Sequence, residues 1–302
     1  MAGYIFSRTP KDVPHVSTKY RTIKTPIPAP GTEAILRELD RYESRSMHGQ
    51  LPIVWDRASD FSVYDRVGNR WIDFTSTIFV TNIGHANPFL KARLREVIDG
   101  DLLHTYVFVN EIRAKYLKKL VEFAPKQFEK AFLLSAGTEA TEAALKLMRL
   151  NGLKQRKRKL GVICIEGNWH GRTMGAQMMG GNAKQREWIG YLDPNIYHIP
   201  FPYPWALNGK TGSEFLWLAL KELENKGVDL EKDLCGCMLE TFQGWGCLFY
   251  PADFVQEIKR LCVKNNLLLS FDEMQAGFAR TGKKFGYEHY GVDADVICCG
   301  KG

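Results

Sequence analysis

The 302-residue chain is 45% apolar and 25% charged, enough to bury a large core, which excludes disordered, collagenous and coiled-coil proteins. Lys and Arg (41) exceed Asp and Glu (34) by a formal +7, spread along the chain without basic blocks, which excludes an electrostatic nucleic-acid binder. Single cores stop growing at roughly 250–300 residues, so one large domain, alone or with a small one, is expected. The seven cysteines (Cys164, Cys235, Cys237, Cys247, Cys262, Cys298 and Cys299) are odd in number and mostly set among aliphatic residues. They read as buried free thiols of a reducing, cytoplasmic compartment, and neither a zinc-knuckle spacing nor HExxH points to a metal. No apolar stretch approaches the roughly 20 residues that span a bilayer, so no membrane partner is expected.

In chain order, the basic, Ser/Thr-containing first 25 residues weakly suggest a transit peptide, but Pro10, Pro14, Pro26, Pro28 and Pro30 spoil an amphipathic helix. An extended arm on the body or on a partner subunit is expected instead. A helix follows over Thr32–Tyr42, then a hairpin of Phe61–Val67 and Arg70–Phe74 around a two-residue Gly68-Asn69 turn of type II′. From Pro88 the pattern alternates. Helices are expected at Pro88–Ile98, Glu111–Phe123, Glu139–Leu150, Glu214–Lys226 and Ala252–Asn265. Strands are expected at Ala131–Leu134, Gly161–Ile165, Gly236–Leu239, Leu267–Phe271 and Val296–Cys299. Short apolar strands between amphipathic helices predict an α/β fold, a mostly parallel sheet with helices on both faces. Residues 1–75 would form an N-terminal arm, helix and hairpin, and residues 76–302 the α/β domain.

Ligands of such sheets sit beyond the carboxyl ends of the strands, and polar groups gather there. Ser135-Ala-Gly-Thr138 opens a helix, so its free N–H groups and the Thr138 hydroxyl can hold a phosphate, with Gly137 allowing close approach; alone, the same residues make an ordinary N-cap. Asp272 ends a buried strand and needs a cationic or hydrogen-bonding partner, either a protonated ring nitrogen of a ligand or neighbouring backbone and Arg280. Gln275 can donate to a phenolate or carbonyl oxygen. Trp169, in a Gly-flanked loop, suits stacking on a flat ring, although core packing is the commoner fate of tryptophan, and His170 beside it is an acid–base group or a hydrogen-bonded structural histidine. Lys301, between Gly300 and Gly302 at the end of an apolar run, would be desolvated and nucleophilic toward an aldehyde. Tyr106 either lines a pocket or packs in the core.

Gly277-Phe-Ala-Arg-Thr-Gly282-Lys283 matches the first seven positions of a nucleotide phosphate loop. The eighth is Lys284, which cannot ligate magnesium as a Ser or Thr hydroxyl does, so a nucleotide-binding domain is the distant alternative.

Together these motifs resemble the class III aminotransferases, fold-type I pyridoxal 5′-phosphate (PLP) enzymes that include ornithine, acetylornithine and 4-aminobutyrate aminotransferases. The resemblance runs from about Pro52 to the last residue through Asp73 with Gly84-His85, Ser135–Ala140, Trp169–Thr173, Glu240–Gly244, Asp272–Gln275, Gly277–Gly282 and Gly300-Lys301. It implies that Lys301 forms the internal aldimine and moves the substrate proton, and that Asp272 keeps the pyridine nitrogen protonated. It also implies that Gln275 bonds the phenolic oxygen, Trp169 stacks on the ring, Gly137 and Thr138 hold the phosphate, and Glu240 lies near the substrate. The implied reaction moves an amino group from an amino acid or amine to a keto acid or aldehyde, in a homodimer. Racemase, decarboxylase or aminomutase chemistry on the same scaffold is the nearer alternative. Two departures stand out. Trp245 occupies a position where many members carry a second glutamate, and the chain ends one residue after Lys301 where members continue for about 100 residues. The resemblance therefore implies a C-terminally incomplete chain.

Overall fold

The computed structural model describes residues 6–44 and 51–301, which fall into two compact units, Met1–Tyr106 and Val107–Gly302. Residues 1–5 of the expected arm, and Gly302 beside Lys301, lie outside the described residues.

The first unit holds β1 (Val16–Ser17), β2 (Thr22–Ile23), α1 (Thr32–Tyr42), β3 (Arg57–Ser59), β4 (Ser62–Tyr64), β5 (Arg70–Ile72), a four-residue turn α2 (Ser76–Phe79) and α3 (Pro88–Asp99). Its sheet runs β1-β2-β5-β4-β3, every pair antiparallel. Part of the expected arm is therefore a hairpin joined to this sheet through Thr22 and Arg70. The β4–β5 turn also differs from expectation. Asp65 N–H bonds Asn69 O at 3.2 Å, closing a three-residue loop in which Gly68 takes φ +88°. The Asp65 carboxylate selects this longer loop by accepting from Val67 N and Asn69 N at 3.1 and 2.8 Å. Asn69 is buried and bonds Thr25 Oγ1 and Lys24 N, tying the turn to the chain that leads out of β2.

The second unit carries α4 (Glu111–Phe123), α5 (Gly137–Lys154), β6 (Gly161–Ile165), α6 (Met174–Met179), β7 (Ile196–Ile199), the turn α7 (Pro204–Leu207), α8 (Gly212–Asn225), β8 (Leu234–Glu240), β9 (Phe242–Gln243), β10 (Leu248–Phe249), α9 (Ala252–Asn265), β11 (Leu268–Asp272) and β12 (Val296–Cys298). A five-stranded sheet, order β12-β11-β8-β6-β7, is parallel throughout. Strand alternation sends β6 Ile163 and Ile165 into a core shared with α8 and α9. Val162 and Cys164 go to the opposite face, against Ala144 and Met148 of α5. Helices thus cover both faces, as expected of near-continuous apolar strands. Side-chain caps at Asn110 and Thr211, the latter a capping box with Glu214, fix where α4 and α8 begin.

One expected strand is missing. Ala131–Leu134 has no ladder partner among the described residues, and Phe132 is 73% exposed. An apolar run supplies strand propensity but not the neighbour whose backbone completes a ladder. Five of the seven thiols are buried, Cys299 is half-buried and Cys247 is exposed. Among the described residues, no helix is long and apolar enough to cross a membrane.

Candidate active site

The parallel strands end together, and the chain turns there into the segments singled out by sequence. Gly137, Thr138, Trp169, Glu240, Asp272, Gln275 and Lys301 all line one cavity of about 1120 Å³ in the second unit. Tyr106 is the exposed last residue of the first unit.

Asp272, the last residue of β11, is buried and has found its partners within the chain. One carboxylate oxygen accepts Met274 N–H at 3.0 Å and the other meets His170 Nδ1 at 2.9 Å. Because a carboxylate only accepts, this bond fixes the proton on Nδ1. His170 Nε2 is buried without a partner among the described residues. His170 is thus the residue whose place the sequence left open. Its position immediately after Trp169, on the loop facing a strand-end carboxylate, is the signal that marks it.

Glu240 ends β8 directly beside Asp272 in the sheet register. It is buried and accepts Trp169 N–H at 2.9 Å and Gly244 N–H at 3.4 Å. Burial first, and then the neighbouring Asp272, push its carboxyl well above the usual carboxylate range, against the opposing charge of Lys301. Two acids thus stand side by side at one sheet edge. The Trp169 ring lies edge-to-face with Trp245 at 5.8 Å, and the Arg172 guanidinium sits 5.3 Å above it. Gln275 packs its amide on Gly244, where a Cβ would come within 2.5 Å of Nε2.

The loop carrying Trp169 and His170 is held at close quarters. Gly181 N–H bonds Asn168 O at 2.8 Å, and a Cβ on Gly181 would stand 2.0 Å from Gly167 N. Opposite it, α5 starts at Gly137 with no side-chain cap, so its leading N–H groups lack intrahelical acceptors. A Cβ on Gly137 would lie 3.0 Å from Met274 Sδ. Lys301 is exposed, with φ +53°, so the dry strand end expected from sequence is not formed around it by the described residues.

The phosphate-loop match does not have a helix to serve. Gly277–Lys283 is followed by a five-residue 3-10 turn, Gly286–Tyr290, whose Gly286 and Tyr287 N–H groups already bond the buried Glu273 carboxylate at 2.7 and 2.8 Å. An internal carboxylate thus occupies the place an anionic ligand would take. Sequence reasoning missed Glu273; its adjacency to Asp272 at a strand end, where alternation must send it into the opposite core, was the available signal.

Comparison with known proteins accords with this arrangement. Residues 43–302 match the family model for class-III aminotransferases. A diaminobutyrate–2-oxoglutarate aminotransferase of Haemophilus influenzae is 30% identical over 93% of the chain and 63% of its own length. An acetylornithine aminotransferase of Methanopyrus kandleri is 31% identical over 88% and 62%. The chain thus spans somewhat less than two thirds of these relatives. Among solved structures, an (S)-enantioselective omega-transaminase from Thermomicrobium roseum superposes with a TM-score of 0.79 at 25% identity, over 90% of this chain and 63% of its own. A taurine:2-oxoglutarate aminotransferase from Bifidobacterium kashiwanohense, in complex with PLP and glutamate, gives 0.79 at 23%, over 90% and 62%, and shows the shared fold.

Proposed function

The chain belongs to the class-III aminotransferases, and on that premise we propose that it is a PLP-dependent transaminase moving an amino group from an amino acid or amine to a keto acid or aldehyde. The observation that carries this reading is the convergence, in one cavity, of the buried Asp272–His170 pair, the Trp169 ring, the uncapped start of α5 and the Lys301 amine. These residues fit the cofactor: a carboxylate for the ring nitrogen, an aromatic plane for the ring, free amides for the phosphate and an amine for the aldehyde. When bound, PLP would supply an electron sink for the electrons left at the substrate carbon.

The chain's own residues supply the rest. Asp272, oriented by His170 Nδ1–H and Met274 N–H, holds the proton on the ring nitrogen, and His170 acts through Asp272 as a positioning residue. Gln275 donates its amide hydrogens to the phenolic oxygen, and Trp169 fixes the ring plane. The backbone N–H groups of Gly137 and Thr138 would present the phosphate site, where the dipole of the 18-residue α5 favours a dianion. Lys301 would be the amine that holds the cofactor's aldehyde carbon and would carry the proton at the substrate carbon. Glu240, whose carboxyl burial and the neighbouring Asp272 push toward its neutral form, would limit the negative charge on the substrate side.

The same reading takes residues 76–302 as the cofactor domain and residues 1–75 as part of a small domain, in a cytoplasmic homodimer; the buried free thiols support the reducing compartment. The test is to incubate the chain with PLP, reduce with borohydride and map the modified peptide. A pyridoxyl group on Lys301, absent from Lys301→Ala, is expected. Labelling spread over surface lysines, equal in the variant, would overturn the assignment.

A further inference from the structure

The hydroxyl of Thr138 has its one hydrogen already committed. Thr173 Oγ1 lies 2.5 Å from Glu142 Oε1, an oxygen that also accepts Gly175 N–H at 2.9 Å and Ala176 N–H at 3.3 Å. That carboxylate only accepts, so the Thr173 hydrogen points to it. The hydrogen in the 2.7 Å bond between the two threonine hydroxyls must then come from Thr138. Thr138 Oγ1 in turn faces Thr173 N–H at 3.3 Å, so it donates to and accepts from the same residue. What it has left is a lone pair, which repels a phosphate oxygen.

A second observation, independent of hydrogen positions, gives the same orientation. A Cβ built on Gly171 would stand 2.2 Å from Thr138 Oγ1 and 2.6 Å from its Cβ. The side chain is turned into the loop after β6, into space that exists only because residue 171 has no side chain. Next along α5, Thr141 Oγ1 lies 2.7 Å from His170 O, a second tie between this helix and the same loop.

We propose that the Thr138 hydroxyl is a latch rather than a phosphate donor: the chain Thr138–Thr173–Glu142 clamps the Trp169–Thr173 loop and the start of α6 onto α5, leaving phosphate recognition to the backbone N–H groups of α5. Thr138 is then a positioning residue for the ring-facing loop, and Glu142 anchors the clamp. The phosphate half of this inference rests on the PLP reading; the latch half does not.

Two measurements on Thr138→Val, with Thr138→Ser as the conservative control, test it. The first compares dissociation constants for PLP and for pyridoxal, whose ratio isolates phosphate contacts. The PLP-to-pyridoxal ratio should stay within about threefold of the unsubstituted chain, whereas loss of a charge-assisted hydroxyl–phosphate bond would raise it about tenfold or more and overturn the proposal. The second follows amide hydrogen exchange in the cofactor-free chain. Thr173, Gly175 and Ala176 should exchange about tenfold faster in Thr138→Val and near the original rate in Thr138→Ser; unchanged protection would overturn the latch. Should Thr138→Val not fold, Thr138→Ala removes the same hydroxyl and carries both measurements. An unsubstituted chain that binds no PLP would sink the proposed function, while the exchange result would still decide the latch.

Discussion

Gly181→Ala isolates steric exclusion from backbone conformation. The added Cβ would sit 2.0 Å from Gly167 N and 2.5 Å from both Glu166 C and Ile165 O, all backbone atoms that no rotamer can move aside. Carbon contacts settle at about 3.5–4.0 Å, so the loop after β6 must retreat by about 1.5 Å. Overpacking costs about 1–3 kcal/mol, and loss of the 2.8 Å Gly181 N–H to Asn168 O bond adds about 0.5–1.5 kcal/mol. The sum, roughly 2–4 kcal/mol, corresponds to a drop of roughly 5–15 °C in Tm. Gly291→Ala is the control, since Gly291 lies in the left-handed region at φ +64° and ψ 34° but has nothing within 4 Å of its Cβ position, and left-handed strain alone costs about 1–2 kcal/mol. Urea unfolding followed by tryptophan fluorescence should rank Gly181→Ala as the more damaging. PLP affinity should fall with it, because the displaced loop carries Trp169 and His170. If Gly291→Ala proves the costlier change, or Gly181→Ala lies within about 0.5 kcal/mol of the unsubstituted chain, the spread of neutral surface changes, the close-approach argument is refuted.

Glu240→Gln should flatten the stability–pH profile: above about pH 4.3 the unfolded chain releases this proton while the folded chain keeps it, so stability falls as pH rises toward the raised folded pKa. Equal slopes for the two proteins in urea unfolding across pH 4–8 would contradict the protonated assignment. Glu273→Ala strands the Gly286 and Tyr287 N–H groups and should lower stability by about 1–3 kcal/mol, read by the same unfolding assay. For His170→Ala and Asp272→Ala, PLP titration of single and double variants should show coupling of roughly 0.5–3 kcal/mol, and additive losses would separate His170 from the site.

Much of the second unit was legible because its strands are short apolar runs and its helices long and amphipathic. β6 and the helices α4 and α9 fall where the periodicity places them, and the polar residues just beyond the strand ends do meet in one cavity. β7 was missed because Tyr197 and His198 interrupt its apolar pattern with polar atoms. Ala131–Leu134 was overread because pairing is a property of two segments and propensity of one. In the hairpin, Gly68 was rightly marked as a turn residue, but the acceptor that sets loop length, Asp65, lies three positions earlier. Within the site, Asp272, Trp169 and Lys301 carry recognisable chemistry one residue at a time. The partnership of Asp272 with His170, 102 positions away, and the Thr138–Thr173–Glu142 chain exist only after α5 and the β6 loop have packed.

Adjacent carboxylates at the end of β11 also guard the fold against mispairing. Asp272 turns to His170, while Glu273 turns the other way to cap a backbone turn and meet Thr241. A one-residue slip of β11 along β8 would send each side chain to the opposite face, taking Asp272 away from His170 and Glu273 away from Gly286 and Tyr287. Each misplaced group would leave buried donors unanswered, so the competing alignment is penalised at two places by one error. The dipeptide is therefore an internal check on assembly: only the alignment that satisfies both acids places the Asp272 carboxylate against His170 at the cavity.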